Sequence, residues 1–484
     1  MWRRWGLVYI VIYALVLFSG CRKEEEEECQ FERDYVIAEE ADVIIPPSGE
    51  ASAWIYIIGG NLRGTRYVAP WGNDNNDGSL NYPWRTLAYA VIQLHPGDTL
   101  VVLPDSGRTR PIIAGRNNVR AAFDLSGKSY LWIENLEITH YVCGSGESIY
   151  FRDGIEILNA PAHHIVLKDL YINHIDEYGM NFRDVDSIQI LGCRIEYCGF
   201  GAMGGPAADS GGWRNVLIRG CSLSYSGHYY QGRYSSRYDP ARPYDRPDGF
   251  GIEESEGPII IEKTIASHNY GDGIDSKAHN TTVSQCIVEN NSCDGVKLWG
   301  DHSKVVNTLI YGRGDGDNTH TPWAVIAIDQ VERANSEFEI VNCTIDDQLG
   351  YGYVIYIQYD GTVPVRVTMK NCIISSWGLE SPIFVRGNAT FIAENNLFYF
   401  PNCERVLEYG DSTYTRNTIV NFGSSNLYGD PLFVKTAWGQ VGDYHLRDGS
   451  PAIDHGTSNG APSVDLEDHT RPQGNGYDIG CCER

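Results

Sequence analysis

The sequence predicts an all-β fold in which short strands stack as a parallel β-helix of about ten coils or more. Short runs rich in β-branched residues recur along the chain, whereas helical periodicity is nearly absent. The shortest repeat steps are 22 to 24 residues, and the pattern of a leucine-rich repeat is missing, so the period favours a β-helix. Equivalent repeat positions fall at residues 136, 170, 193, 221, 263, 286, 308, 343, 372 and 396.

The two ends of the chain agree with this fold, because an open stack of strands exposes edges that must be covered. Residues 86–94 form the one amphipathic helix pattern, placed where an N-terminal capping helix would lie. Residues 67–79 and the segments after 430 resemble the opening and closing segments of secreted right-handed β-helix proteins. The resemblance implies a right-handed β-helix over 66–429 and a C-terminal cap segment over 430–484.

Composition excludes several classes of protein. The 38 Lys and Arg against 63 Asp and Glu give a net charge of −25, which argues against a nucleic-acid-binding protein. Thirteen cysteines occur without a zinc-type Cys-x-x-Cys pair. Disulfides between Cys29 or Cys403 and the Cys481-Cys482 pair remain open, and we expect a monomer. Five cysteines share one repeat position and are expected to stack inside the coil: Cys193, Cys221, Cys286, Cys343 and Cys372.

The N-terminus predicts export. Two arginines precede an apolar run over 6–18, which is typical of a signal peptide over 1–20. The ending Phe-Ser-Gly-Cys resembles a bacterial lipobox, and this resemblance implies lipidation of Cys21. We then expect membrane attachment only through that lipid, at the outer membrane or cell surface, with 21–65 as an acidic tether. Periplasmic and surface-exposed orientations both remain open.

Three consecutive coils carry most of the candidate chemistry. Their strands begin at residues 248, 272 and 294, which are 24 and 22 apart, so they should stack about 4.8 Å from one another. Strand alternation places Gly251, Asp275 and Lys297 in one outward column. A second outward column holds Glu253, Lys277 and Trp299. Asp248, Asp272 and Asp294 are expected to cluster at the preceding turns.

This region resembles polysaccharide lyase family 9, the β-helical pectate lyases. The segments 248–250, 271–275 and 295–298 match the family's Asp-Gly-Phe strand, its aspartate-rich turn and its lysine strand. The resemblance implies Ca²⁺ ligands at Asp248, Asp272 and Asp275 and a catalytic base at Lys297. The family's doubled aspartate is reduced to Gly271-Asp272 here, so Asp294 or Glu253 is a candidate for the missing ligand.

The implied chemistry is β-elimination on an acidic polysaccharide. Ca²⁺ would neutralise the substrate carboxylate and acidify the proton at C5. Lys297, with its pKa lowered by the cation and by partial desolvation, would remove that proton. The other interpretation is that Asp275–Lys297 and Glu253–Lys277 are ion pairs on one face of the β-helix.

A loop over 228–247 interleaves arginines with tyrosines on an otherwise acidic protein. Candidate substrate-binding residues are Arg233, Tyr234, Arg237 and Arg246 in this loop, with Lys277 and Trp299 beside the lysine strand. Arginine binds carboxylates by paired hydrogen bonds, which suits a uronate polymer. A loop that only packs over the β-helix explains the pattern equally well.

Three other functions remain open. A β-helical glycoside hydrolase would also use clustered aspartates, and a mannuronan epimerase would begin with the same proton abstraction. The motifs that we associate with polygalacturonases and with those epimerases are absent. A surface lipoprotein that binds glycan without catalysis is the third alternative. The sequence leaves open which uronate polymer would be the substrate.

Overall fold

The computed structural model describes residues 53–57, 64–93, 98–104, 110–114, 120–142, 148–149, 151–242, 244, 246–312, 324–330, 333–348, 352–359, 361–437 and 440–484. The predicted signal peptide, Cys21, Cys29 and most of the tether lie outside the described residues. No helix within those ranges has the length and apolar character needed to cross a membrane. The chain divides into two compact units, Met1–Leu217 with Tyr225–Asp245 and Ile218–Ser224 with Arg246–Arg484.

The first unit contains three sheets of stacked strands. One runs in the order Thr65–Val68, Thr99–Val102, Ala53–Ile57, Ser129–Glu134, Ala162–Lys168 and Val185–Leu191, with Trp213–Arg214 beside the last. The second is Ala121–Asp124, Asp153–Ile157, Tyr178–Phe182 and Gly201–Gly204. The third is Ile112–Ala114, Glu137–Thr139, Tyr171–Ile175 and Arg194–Cys198. Two hairpins pair Tyr141–Val142 with Ser148–Ile149 and Tyr229–Tyr230 with Arg233–Tyr234.

The second unit repeats the arrangement. One sheet is Ile259–Glu262, Thr281–Ser284, Ser303–Val306, Ser336–Val341, Val365–Lys370 and Thr390–Glu394. The second is Asp248–Ser255, Ile274–Ala278, Val296–Leu298, Ala324–Ile328, Tyr353–Ile357, Ile383–Val385 and Arg405–Tyr409, ending on the antiparallel Ser412–Thr415. The third is Ser222–Ser224, Ile265–Ser267, Ile287–Glu289, Leu309–Tyr311, Thr344–Asp347, Ile373–Ser376, Leu397–Tyr399 and Leu427–Tyr428.

Three elements complete the description. The strand Val216–Arg219 is divided between the two units. A 3-10 helix spans Ile419–Asn421, and an antiparallel hairpin pairs Phe433–Lys435 with Asp443–Leu446 inside the predicted C-terminal cap segment. Each unit therefore builds its coils from three parallel strands, which is the parallel β-helix that the repeat period predicts.

The repeat has a backbone cause at one corner of each coil. The residue before each equivalent position has a positive φ, between 48° and 65°. These corner residues are Asn135, Asp169, Gly192, Gly220, Lys263, Gln285, Asn307, Asn342, Asn371 and Asn395. Glycine and asparagine tolerate this left-handed conformation best, which explains why they recur at the corner. The predicted position 263 is wrong by one residue, because Ile265 pairs with Ser222 and Thr264 therefore occupies the ladder position.

The side chains that follow these corners fill the core. The five ladder cysteines are all buried, and the Sγ atoms of Cys286 and Cys343 lie 3.4 and 3.5 Å from carbonyl oxygens of the preceding coil. Cys403, Cys481 and Cys482 carry thiols without a disulfide bond, so the suggested bridge from Cys403 to the terminal pair is wrong in this structure. The ladder therefore acts as apolar packing.

Two segments near the N-terminus differ in extent from what the sequence predicts. The helix expected over 86–94 is observed as Leu87–Ile92, and the Thr86 hydroxyl accepts a hydrogen bond from the Tyr89 N–H at 3.2 Å. Residues 53–57, predicted as part of the tether, instead form the strand Ala53–Ile57, which is antiparallel to both of its neighbours. Its Ala-Trp-Ile-Tyr-Ile sequence has strong β-propensity, and pairing on both sides stabilises it.

Candidate active site

Three stacked coils of the second unit begin with an Asp-Gly pair, and each aspartate ties its coil to the next. Asp248 Oδ1 accepts a hydrogen bond from the Asp272 N–H at 2.7 Å, and Asp272 Oδ1 accepts one from the Asp294 N–H at 2.8 Å. Asp294 Oδ1 in turn accepts one from the Ala324 N–H at 2.6 Å. We call this series the aspartate ladder. In each of these aspartates, one carboxylate oxygen is therefore occupied by a hydrogen bond from the backbone of the next coil.

Glycine is required after each ladder aspartate because the coils approach closely there. A Cβ atom on Gly273 would lie 2.7 Å from the carbonyl oxygen of Gly295 and 2.4 Å from Val288 Cγ1. No ordinary side chain fits at that distance. The Asp-Gly pair therefore has a structural reason to occur at the start of a coil, independent of catalysis.

The strands after these turns present an acid and a base outward. Gly251, Asp275 and Lys297 occupy one column of the sheet, as strand alternation predicts. Lys297 Nζ lies 2.7 Å from Asp275 Oδ2 and 3.4 Å from Asp272 Oδ2. The three side chains are only 16%, 7% and 5% exposed, respectively. The predicted contact between Asp275 and Lys297 is thus present, and it is largely shielded from water.

Carboxylate oxygens of three aspartates converge at this point. Asp248, Asp272 and Asp275 each offer one oxygen within 4.8 Å of the others, and Asp275 Oδ1 is buried with no hydrogen-bond partner among the described residues. Calcium binds oxygens at about 2.3–2.6 Å, so ligands on opposite sides of the ion lie about 5 Å apart. These three carboxylates therefore fit a calcium ion in spacing and in chemistry. We call Asp248, Asp272, Asp275 and Lys297 the acid–lysine cluster.

The two candidates for a fourth acidic ligand lie elsewhere. Asp294 is not part of the converging group found among the described residues, and its Oδ1 belongs to the aspartate ladder. Glu253 pairs instead with Lys277, whose Nζ lies 2.9 Å from Glu253 Oε1. A β-bulge between Ile252 and Ser255 shifts the register of this strand beyond Ile252, and Glu253 lies within the bulge.

Charges inside the cluster control its protonation. Burial raises the pKa of Asp248 well above its usual range, and the neighbouring carboxylates of Asp272 and Asp275 raise it further. Burial also raises the pKa of Asp272, although the Lys297 ammonium partly offsets this effect. One acid of the cluster therefore binds a proton more readily than an exposed aspartate would.

Without a bound cation, the pKa of Lys297 is raised. Burial lowers the pKa of this amine, but Asp275, Asp272 and then Asp294 outweigh burial and raise it well above its usual range. The lowering of this pKa by bound calcium stays a prediction. Here Lys297 is an ammonium ion held by carboxylates.

The second outward column lies beside this cluster. Trp299 packs against both lysines, since Lys297 Nζ lies 5.3 Å and Lys277 Nζ 5.8 Å from the centre of its ring. The indole Nε1 of Trp299 is buried and has no hydrogen-bond partner within the described ranges. An indole N–H is a donor only, so a ligand oxygen could satisfy it.

The candidate residues of the 228–247 loop are divided between the two units. In the first unit, Arg233 pairs with Asp239 at 2.7 Å, and Arg237 lies 5.9 Å from the ring centre of Tyr238. The Tyr234 ring is 67% exposed, and its hydroxyl lies 3.0 Å from His174 Nε2. Arg246 belongs to the second unit, and its charge lowers the pKa of Asp272 against the larger effect of burial.

An aromatic cluster continues the lysine column and was missed from the sequence. Lys297 pairs with Ala327, and Ala327 pairs with Tyr356 in the next coil. Tyr356 is buried and packs with Ala324, Ala327, Tyr353, Tyr359 and Phe384. Burial raises the pKa of Tyr356, and the charge of Asp294 raises it further. The step from 297 to 327 is much longer than the usual repeat, so the sequence did not reveal that these residues align. The outward-facing tyrosines of the 353–359 segment could have indicated the aromatic cluster.

Comparison with known proteins gives one family match. The family described as right handed beta helix region matches residues 114–312. No curated protein matches the chain.

Similar solved structures include pectate lyase Pel9A, at 15% identity and a TM-score of 0.45, covering 88% of this chain and 98% of that one. A GH136 lacto-N-biosidase from Eubacterium ramulus has 15% identity and a TM-score of 0.48, covering 69% of this chain and 68% of that one. The A-module of the Azotobacter vinelandii mannuronan C-5 epimerase AlgE4 has 10% identity and a TM-score of 0.45, covering 64% and 82%. Likeness at this level carries no argument about activity. Together with the strand pairing, the family match identifies the fold as a right-handed parallel β-helix.

Proposed function

We propose that this protein is a calcium-dependent polysaccharide lyase that cleaves a uronic-acid polymer by β-elimination, with Lys297 as the base. One observation carries the proposal. Three carboxylates from adjacent coils converge within 4.8 Å, and a shielded lysine lies 2.7 Å from one of them. An acid group and an amine at one point of a polar face are what such an elimination needs.

In this proposal Lys297 removes the proton at C5 of a uronate residue. The C5–H electron pair forms the C4–C5 double bond, and the glycosidic oxygen at C4 leaves with the electrons of its bond. Asp275 holds the Nζ atom in position through its 2.7 Å contact. Because the carboxylates raise the pKa of Lys297, the free amine is scarce near neutral pH and becomes abundant only at higher pH. We therefore expect activity to increase toward alkaline pH.

Asp248, Asp272 and Asp275 would hold the calcium ion. The unpartnered Asp275 Oδ1 and the all-oxygen donor set support this assignment. When bound, calcium supplies positive charge that neutralises the substrate carboxylate and makes the C5 proton more acidic. In the structure, Asp272 and Asp275 pair with the Lys297 ammonium. In this proposal the same two carboxylates also bind the calcium ion.

Trp299 would contribute to substrate binding. Its buried Nε1 lacks a partner among the described residues, and its ring packs against Lys297 and Lys277. We expect the indole N–H to donate to a sugar oxygen near the reacting carbon. Arg233, Tyr234, Arg237 and Arg246 stay proposed substrate-binding residues on the evidence of the sequence, because arginine binds carboxylates by paired hydrogen bonds.

A binding protein without catalysis is the second candidate. The raised pKa of Lys297 favours it, because an ammonium held by carboxylates is also what a purely structural ion pair looks like. In that case the cluster would bind an acidic glycan or stabilise the fold, and no bond would break.

A panel of acidic polysaccharides separates the two candidates. Unsaturated uronate products absorb ultraviolet light, so galacturonan, alginate and other uronate polymers are incubated with the protein in calcium and in chelator. Calcium-dependent absorbance with one polymer supports the lyase. Glycan binding by the wild type with no absorbance from any uronate polymer would contradict it.

We also propose that the protein is exported and attached to the membrane by a lipid on Cys21. The N-terminal sequence described above supports this location. Cells grown with a labelled fatty acid should label the wild type and not the Cys21→Ser variant. Equal labelling of both would contradict lipidation at this residue.

A further inference from the structure

The chain before the helix Leu87–Ile92 forms a surface cavity within the first unit. The cavity has a volume of about 500 Å³, and its lining includes Pro70, Trp71, Asn73, Asn75 and Arg85. We call it the Trp71 cavity. Sites for small molecules commonly have volumes of about 300–1,000 Å³. The Trp71 cavity lies far along the chain from the acid–lysine cluster and has no role in the proposed elimination.

One wall of the Trp71 cavity is an indole ring that faces water. The side chain of Trp71 is 58% exposed. Trp84 of the same segment is buried instead, and its Nε1–H donates a hydrogen bond to the carbonyl oxygen of Asn76 at 2.9 Å. The fold therefore buries one tryptophan of this segment and leaves the other at the surface. Covering such a large aromatic ring with an apolar ligand face releases free energy.

Two amide side chains offer hydrogen bonds in the same cavity. Asn73 Oδ1 accepts hydrogen bonds from the backbone N–H of Asn75 at 2.9 Å and from Asn75 Nδ2 at 3.1 Å. Both side chains are exposed, and among the described residues Asn73 Nδ2 and Asn75 Oδ1 have no partner. An amide nitrogen donates and an amide oxygen accepts, so the cavity offers both kinds of contact to a ligand.

The loop that carries these groups is held in one conformation. Asp74 Oδ1 accepts hydrogen bonds from the backbone N–H groups of Arg85 and Thr86 at 2.8 and 2.9 Å, and Asp74 Oδ2 accepts one from the Thr86 hydroxyl at 2.9 Å. A Cβ atom on Gly72 would lie 2.0 Å from the carbonyl oxygen of Trp84, so the loop packs closely against the chain there. A site that is already ordered loses little conformational entropy when a ligand binds.

We propose that the Trp71 cavity binds a pyranose ring of a saccharide, with the indole of Trp71 against the ring and the amides of Asn73 and Asn75 on its hydroxyls. A pyranose has an apolar C–H face and a rim of hydroxyl groups, so an aromatic ring beside amides complements both parts. Asp74 is the acid in the lining, and its carboxylate is already occupied by three donors of the loop. The site therefore binds sugar without catalysis, and Arg85 is the lining group that suits an acidic sugar.

Calorimetric titration of the protein with cello-, xylo-, manno- and galacturono-oligosaccharides tests the proposal. Chelator is present throughout, so that no calcium ion joins a sugar to the acid–lysine cluster. The wild type should bind at least one of the four probes, and Trp71→Ala should weaken that binding by about 10-fold or more. Asn75→Ala should weaken it less, and Trp71→Phe should retain part of it. Tyr82→Ala is the matched control, since Tyr82 is a 63% exposed ring of the same segment outside the lining.

Melting temperature shows whether each variant is folded. Trp71→Ala should melt with the wild type, because the exposed ring contributes little to the core. Binding of the neutral probes assigns the site to the amides, and binding of the galacturonate probe alone adds Arg85. A wild type that binds none of the four probes would overturn the proposal, and so would a Trp71→Ala protein that binds as the wild type does or a Tyr82→Ala protein that loses as much. These results do not bear on the lyase proposal, because the acid–lysine cluster is unchanged in all of these variants.

Discussion

Two regions of the molecule begin a coil with the same Asp-Gly pair and use it differently. In the first unit, Asp153 Oδ1 accepts a hydrogen bond from the Tyr178 N–H at 3.1 Å, and Oδ2 accepts one from Asn181 Nδ2 at 3.0 Å. In the second unit, Asp248 and Asp272 make the same backbone contact to the next coil. In the second unit the strands that follow these pairs place Asp275 in register with Lys297, whereas the strand that follows Asp153 places Glu156 in register with Asn181.

This difference distinguishes a hydrogen bond that only connects coils from a group of residues that could bind a ligand. An Asp-Gly pair with its carboxylate bonded to the next coil occurs in both regions, so this part of the motif serves the fold. Around Asp153, one side-chain amide and one backbone N–H satisfy the two carboxylate oxygens. Around Asp275, one oxygen binds the lysine and the other has no partner among the described residues. The in-strand residues, and not the Asp-Gly pairs, therefore give the second region its capacity for chemistry.

The largest expected effect is on turnover when Lys297 is replaced. Lys297→Arg keeps the positive charge that Asp275 and Asp272 need, but a guanidinium does not lose its proton at working pH. We expect the elimination rate to fall by about 10²- to 10⁴-fold, the usual contribution of a general base, with little change in melting temperature. The initial rate at which ultraviolet absorbance rises measures this effect.

Lys277→Arg is the matched control for this variant. Lys277 is paired mainly with Glu253, and its Nζ is 3.8 Å from Asp275 Oδ2. We expect this variant to keep most of the wild-type rate. Equal losses in both variants would mean that the region responds to any change of charge, and the assignment of the base would then fail.

A smaller effect concerns stability against pH at Asp153. Burial raises the pKa of Asp153 from its usual 3.8 to about 7. Between these values the folded state keeps a proton that the unfolded state has lost, so wild-type stability should fall as the pH rises from about 4 to about 7. The loss is at most about 4 kcal/mol, since one pKa unit corresponds to about 1.4 kcal/mol. Urea unfolding of the wild type and Asp153→Asn across this range measures the slope.

The variant Asp153→Asn should lack this part of the slope, because an amide does not titrate. Asp186→Asn is the control within the same unit. Hydrogen bonding from Asn215 lowers the pKa of Asp186, so that residue adds stability that is lost as the pH falls. If Asp153→Asn followed the wild-type curve throughout, Asp153 would be an ordinary carboxylate and its burial would have no such consequence.

The smallest effect concerns the aspartate ladder itself. Asp294→Ala removes the acceptor for the buried Ala324 N–H, and an unpaired buried donor costs about 1–3 kcal/mol. Asp294→Asn keeps an acceptor oxygen and should cost less. The difference between the two variants in free energy of unfolding measures the ladder contact. Identical stabilities would show that the Asp-Gly pair does not tie the coils together.

The sequence was sufficient for the features that depend on strand period. The repeat predicts stacked coils, and strand alternation places Asp275 beside Lys297, because side chains alternate between faces and coils repeat at a constant spacing. The same reasoning separates the buried cysteine ladder from the outward polar columns. These predictions needed only local regularity.

Other features required three-dimensional information. The β-bulge between Ile252 and Ser255 interrupts the register, and the long step before Ala324 conceals the alignment of Tyr356 with Lys297. The direction in which the pKa of Lys297 shifts depends on three carboxylates, two on the preceding coil and one on its own coil, whose distances from the amine the sequence does not contain. The role of Asp294 in the ladder was hidden for the same reason, since its acceptor contact crosses to another coil.

Calcium titration of matched variants tests most directly whether Asp275 turns the ladder into a binding site. Asp275→Asn and Asp153→Asn each replace one buried carboxyl group by an amide, in two coils that both begin with an Asp-Gly pair. We predict that the wild type and Asp153→Asn bind one calcium ion with equal affinity and that Asp275→Asn loses this binding. Calcium binding that survives in Asp275→Asn, or that falls equally in both variants, would contradict the account.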